Sequence, residues 1–159
     1  MDKPTYLNFD TDAYAWKPEI NYRQHPELYR VGKGEQGVLI CQPYKEEIGK
    51  YWRFKNEAIA KESSEKIFAL FNAYVSKGEF VGADMARKYL QMGFTRARRY
   101  ANYKGGKKYD KEKNYEQFEK GTGEQEKALA AAIFFKKWKD AEAHSAYNDL
   151  KKAWKKKYG

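Results

Sequence analysis

The chain has 159 residues, with 32 lysines and arginines against 22 aspartates and glutamates, for a formal net charge of +10. Apolar residues make up 42% and aromatics 17%, enough for one core; this excludes a wholly disordered chain, since disorder goes with few aromatics. With Cys41 as the single cysteine, a disulfide framework and a Cys-based zinc site are excluded too.

No uncharged apolar run approaches the roughly 18 residues of a membrane span. Residues 1–16 lack the basic-then-apolar layout of a signal peptide. The expectation is a single domain over residues 1–159, soluble, reduced and cytoplasmic.

In chain order, residues 1–24 mix Tyr6, Phe9, Tyr14 and Trp16 with aspartates and prolines and show no steady period. They read as an irregular arm that docks through its aromatics. Residues 28–31 and 38–42 are β-prone and separated by a glycine-rich turn, which predicts a small hairpin. Pro43 limits the second strand.

From 56 to 77 the pattern turns helical: Asn56 is a candidate cap, Ile59, Ser63, Ile67, Leu70, Phe71 and Tyr74 share one face, and Gly78 is a stop. A second helix is predicted over 83–92, with Met85, Tyr89 and Met92 on one side and Asp84, Arg87, Lys88 and Gln91 on the other. Gly93 ends it in this reading, and Thr95 caps a third helix to Tyr103. Residues 104–123 are charged, carry glycine at both ends and read as a mobile loop. Residues 124–158 are rich in alanine and lysine and predict helix, broken near His144, with Ser145 capping the last piece. The fold class expected is mainly α with a small N-terminal β-hairpin (α+β).

The charge is lopsided. Residues 1–80 hold 12 basic and 12 acidic side chains, so residues 81–159 supply the whole +10. Between 85 and 109 stand Arg87, Lys88, Arg96, Arg98, Arg99, Lys104, Lys107 and Lys108, with no acid. A one-sided charge of this size attracts polyanions. At 100° per residue, Arg96, Arg99, Tyr100 and Tyr103 fall on one arc, opposite Ala97 and Ala101. Guanidinium groups fork onto phosphates and phenol rings stack on bases, so this face suits nucleic acid. The competing reading puts the tyrosines in the core and pairs the arginines with acids.

Other motifs are weaker. Gly32, Lys33, Gly34 and Gly37 fit the spacing G-x-G-x-x-G, but a strand-like run follows where a dinucleotide fingerprint needs a helix. Turn dihedrals account for the glycines, with a phosphate-binding nest as the alternative. Neither His25 nor His144 sits at metal-ligand spacing, Cys41 lies in an apolar run and reads as core, and no catalytic set identifies itself. No cofactor and no metal are expected. The leading expectation is a non-enzymatic nucleic-acid-binding protein (DNA or RNA). A module docking an acidic protein is the alternative, and an enzyme acting on a phosphorylated substrate comes third.

The blocks HPELYRVGKGEQGVLICQPYK, YWRFKNEAIAKESSEKIF and EFVGADMARKYLQMGFTRARRYANYKGGKKY resemble the domain of unknown function 4385 family, small proteins of bacteria and viruses. The resemblance implies an intact single domain and brings no catalytic residues with it. By analogy alone, its occurrence in viral genomes favours a nucleic-acid or host-interaction role.

Overall fold

A computed structural model of the chain describes residues 16–32, 37–102, 109–110, 116–117 and 125–159. The described part is mainly helical. Its α-helices are α1 (Tyr44–Gly49), α2 (Glu57–Ser76), α3 (Phe80–Asn102), α4 (Gln125–Glu142) and α5 (Ser145–Tyr158). Asn56 caps α2 as expected, its Oδ1 accepting from the Ile59 N–H at 2.9 Å. Gly78 ends it in the left-handed region (φ 72°), with Glu79 N–H on the Tyr74 carbonyl and Gly78 N–H on that of Val75. That pair of bonds is the Schellman stop, which favours glycine. The break before α5 falls where expected, but its cap is His144, whose Nδ1 accepts from the Tyr147 N–H at 3.3 Å, and not Ser145.

Helix α3 is the central element. It packs on both α2 and α4, while α1 and α5 lean on it from other sides. Every residue from Phe80 to Leu90 is buried, so the polar side expected for Asp84, Arg87 and Lys88 faces protein. The predicted break at Gly93 is absent, and α3 runs through it. A Cβ at Gly93 would stand 2.3 Å from the Phe134 ring of α4, and one at Gly82 would stand 2.7 Å from the Tyr74 ring of α2. Both glycines serve close helix approach, where no larger residue fits. Thr95 sits inside the helix and donates its hydroxyl to the Met92 carbonyl at 3.3 Å instead of capping a new one.

The N-terminal hairpin is not formed. Pro26–Leu28 and Val38–Ile40 are 3₁₀ turns, and an isolated parallel bridge joins Asn21 to Gln42. The physical reason is burial: Tyr29, Val38 and Cys41 all point into the core. The tight turns leave their backbone bonded locally, as in Tyr29 N–H to Pro26 O at 3.0 Å. The only paired strands among the described residues are β1 (Tyr109–Asp110) and β2 (Glu116–Gln117), antiparallel, within the segment expected to be a loop. The rest of 104–123 lies outside the described residues. Of the N-terminal arm, Trp16 does dock: it stacks on Tyr29 at 5.0 Å and donates its indole N–H to the Arg30 carbonyl. Tyr6, Phe9 and Tyr14 lie outside the described residues. One hydrophobic cluster runs from Trp16 through α3 to Tyr147.

Candidate functional site

The basic run of α3 divides in two. Arg87 and Lys88, expected at the edge of a basic surface, are buried, at 6% and 1% exposure. Arg87 forks onto the Asp84 carboxylate at 3.0 and 3.1 Å, and Lys88 donates to the Gly32 carbonyl at 3.0 Å. Asp84 is fully buried and also accepts hydroxyl hydrogen bonds from Tyr29 and, at 2.7 Å, from Tyr147. Burial opposes the Asp84 charge, but Arg87, Lys88 and the two phenols outweigh it and hold the carboxyl below its usual range. The same burial pushes both phenols up. These groups form a hydrogen-bonded internal network.

More than two helical turns further on, the side chains reach the surface. Arg96 and Arg98 are exposed and Arg99 is half-buried. Among the described residues no carboxylate pairs with Arg96 or Arg98. The Arg96 guanidinium lies 5.8 Å over the Trp52 ring. Tyr100 is half-buried beside Phe54, ring centroids 6.0 Å apart. Trp52 and Phe54 are 5.2 Å apart, and Trp52 rests on buried Tyr89 at 5.7 Å. Lys127 of α4 closes the arrangement: its ammonium stands 5.1 Å from the Phe54 ring and 5.4 Å from Tyr100, and donates to the Phe54 carbonyl at 3.0 Å. The result is a file of partly exposed rings, Trp52–Phe54–Tyr100, edged by Arg96 and Lys127.

On the other side of α3, Arg98 covers Phe94 at 5.6 Å. It borders a groove of about 450 Å³ floored by alanines of α4 and walled by Phe94 and Phe135. Ala97 is buried.

Trp52, Phe54 and Lys127 were absent from the sequence-predicted site. The alternation of aromatic and basic residues in Tyr51-Trp52-Arg53-Phe54-Lys55 is the signal that points to them. Tyr103, Lys104, Lys107 and Lys108 lie outside the described residues. So do Lys33 and Gly34, while Gly37 takes φ 85° ahead of a 3₁₀ turn and the Gly32 carbonyl is spent on Lys88. Cys41 is core, as expected, and burial raises its thiol far above the usual value. His25 is exposed beside Glu27, and His144 packs edge-on against Phe71 at 5.5 Å. No group of three metal-ligating side chains comes together among the described residues, and no helix there is long and apolar enough to cross a membrane.

The model of a family described as a domain of unknown function, DUF4385, matches residues 12–157. The chain belongs to that family. No curated protein and no solved structure matches the chain. The DUF4385 match takes in both the buried Asp84 network and the Trp52–Phe54–Tyr100 file.

Proposed function

We propose that this DUF4385 protein binds single-stranded nucleic acid along the Trp52–Phe54–Tyr100 file, without catalysis. The observation that carries the reading is the juxtaposition of three partly exposed rings with Arg96 and Lys127 on a face where no described carboxylate answers Arg96. Rings offer bases a stacking platform that tolerates any sequence, and flanking cations track the phosphates. Arg99 falls on the same side of α3 as Arg96, and residues 85–109 contain no acid. Trp52 and Phe54 join Tyr100 as stacking rings in this reading.

The test is fluorescence anisotropy of a labelled single-stranded oligonucleotide at two salt concentrations. Affinity should fall steeply with salt, because each phosphate contact releases counterions, with a log–log slope of about −0.7 per contact for single strands. Tyr100→Ala should weaken binding by about 1–3 kcal/mol if a base stacks there. A flat salt response, or an acidic protein retained after nuclease treatment while no oligonucleotide binds, overturns the proposal.

A further inference from the structure

We infer that the cleft between residues 50–53 and the first turns of α2 takes the terminal phosphate of the strand lying on the ring file; the inference rests on the function proposed above. The cleft encloses about 340 Å³ and is lined by Lys50, Tyr51, Arg53, Glu62, Ser63 and Lys66. That volume lies within the range of small-ligand sites. The Lys50 and Lys66 ammonium groups stand 5.1 and 5.2 Å from one ring, that of Tyr51. Arg53 is tied to the wall by its backbone N–H, which donates to the buried Ser63 hydroxyl at 3.0 Å. Glu62, the one carboxylate of the lining, pairs with Lys66 at 3.4 Å.

Three cationic side chains thus line the cleft with one carboxylate, an excess of two positive charges. Like charges lining one cleft repel, and an anion placed among them offsets that repulsion. The charge selects the anion. A phosphate monoester carries about −1.5 to −2 near neutral pH, against −1 for an internal phosphodiester. It also has one substituent instead of two, so it can enter the cleft end-on. Its oxygens accept from a guanidinium fork and from ammonium groups together.

Position selects the source. Residues 50–55 serve both sites in alternation: Tyr51 and Arg53 line the cleft, while Trp52 and Phe54 form the ring file. Trp52 is thus flanked along the chain by two residues of the cleft, which puts the cleft within reach of the end of a strand stacked on that ring.

The experiment compares three labelled oligonucleotides of one sequence, ending in a 5′-phosphate, a 3′-phosphate or hydroxyls only. One phosphorylated form should bind about tenfold tighter than the hydroxyl form, the worth of one charged hydrogen bond. Lys50→Ala/Lys66→Ala, two exposed positions, should erase that increment and leave the hydroxyl-ended affinity nearly unchanged. Lys55→Ala, which removes a neighbouring charge outside the cleft, should preserve it. Equal affinity for all three strands in the unaltered protein overturns the inference, and if Tyr100→Ala still weakens them, the stacking function stands. If no strand binds, that function has failed and the strand end falls as occupant. Titration with inorganic pyrophosphate then decides the cleft: binding lost in the double variant leaves an anion site for another phosphorylated molecule, and no binding removes the site altogether.

Discussion

Gly93 lies against the ring of Phe134, so close that a Cβ there would stand 2.3 Å from the nearest ring carbon. This contact joins α3 to α4 and makes one long helix of a segment whose glycine otherwise reads as a stop. The ring is fully buried, with little room to retreat. Gly93→Ala should therefore destabilise the protein by about 1–3 kcal/mol, the usual cost of overpacking a core, although alanine is the better helix former. Pairing it with Phe134→Leu should cost less than the two single changes added together, since the smaller side chain removes the clash. Denaturant unfolding of the three variants measures this coupling.

Asp84 holds the buried network together. Asp84→Asn keeps the shape but leaves the buried Arg87 guanidinium with only the half-exposed Glu142 carboxylate at 3.8 Å. Breaking a buried pair in this way costs about 3–5 kcal/mol. Tyr147→Phe removes one hydroxyl donor to a charged acceptor and should cost about 1.5–3 kcal/mol. Thermal unfolding of each checks both values; an unaltered midpoint in Asp84→Asn would show that the network contributes no stability.

The pH profile of stability should have two shoulders. The Asp84 carboxyl is depressed, against the pull of burial, by Arg87, Lys88 and two phenols, and that of Glu47 by its hydrogen bonds to Arg23 and Tyr74. Both bind protons more weakly folded than unfolded. Their contribution is therefore full above the unfolded carboxyl values of about 4 and is lost as pH falls through the lower folded values. Tyr29, Tyr44, Tyr74 and Tyr147 are raised, chiefly by burial. Above the unfolded phenol value of about 10 the unfolded chain ionises first, and stability falls as pH climbs towards the folded values. Urea unfolding across this range should show a plateau between the shoulders, and Asp84→Asn should flatten the acid one.

Two arginines nine positions apart on α3 should behave oppositely. Arg96→Ala removes an exposed guanidinium, so the unfolding midpoint should stay within about 0.5 kcal/mol of the parent. Oligonucleotide affinity should fall equally for all sequences, with a salt slope smaller by about 0.7. Arg87→Ala leaves Asp84 buried without its partner and should lower stability by about 3–5 kcal/mol. Anisotropy and thermal unfolding on the same two proteins separate the roles.

Local features of the sequence determined a good part of this protein. The Asn56 cap, the Gly78 stop, the apolar face of α2 and the break before α5 depend on neighbours a few residues away, and all four are legible there. The docking of Trp16 and the core placement of Cys41 follow from apolar character alone. The family is legible in the same way, carried by blocks of contiguous residues. What depended on distant partners was not. Asp84, Arg87 and Lys88 look like a solvent face because isolated buried charges are costly. Only the fold brings Tyr29 from 55 residues away and Tyr147 from 63 to satisfy Asp84. The two β-prone runs lost their hairpin because Tyr29, Val38 and Cys41 gain more by burial in the helical core than by pairing with each other. Gly93 signals a stop when only its own helix is considered, until Phe134 occupies the space a side chain would need. The ring file belongs to the same class: Lys127 reaches the Phe54 carbonyl across 73 residues of chain. Backbone capping is a short-range hydrogen-bond problem that sequence spacing solves. Which charges are buried, and which rings share a surface, is decided by packing between helices.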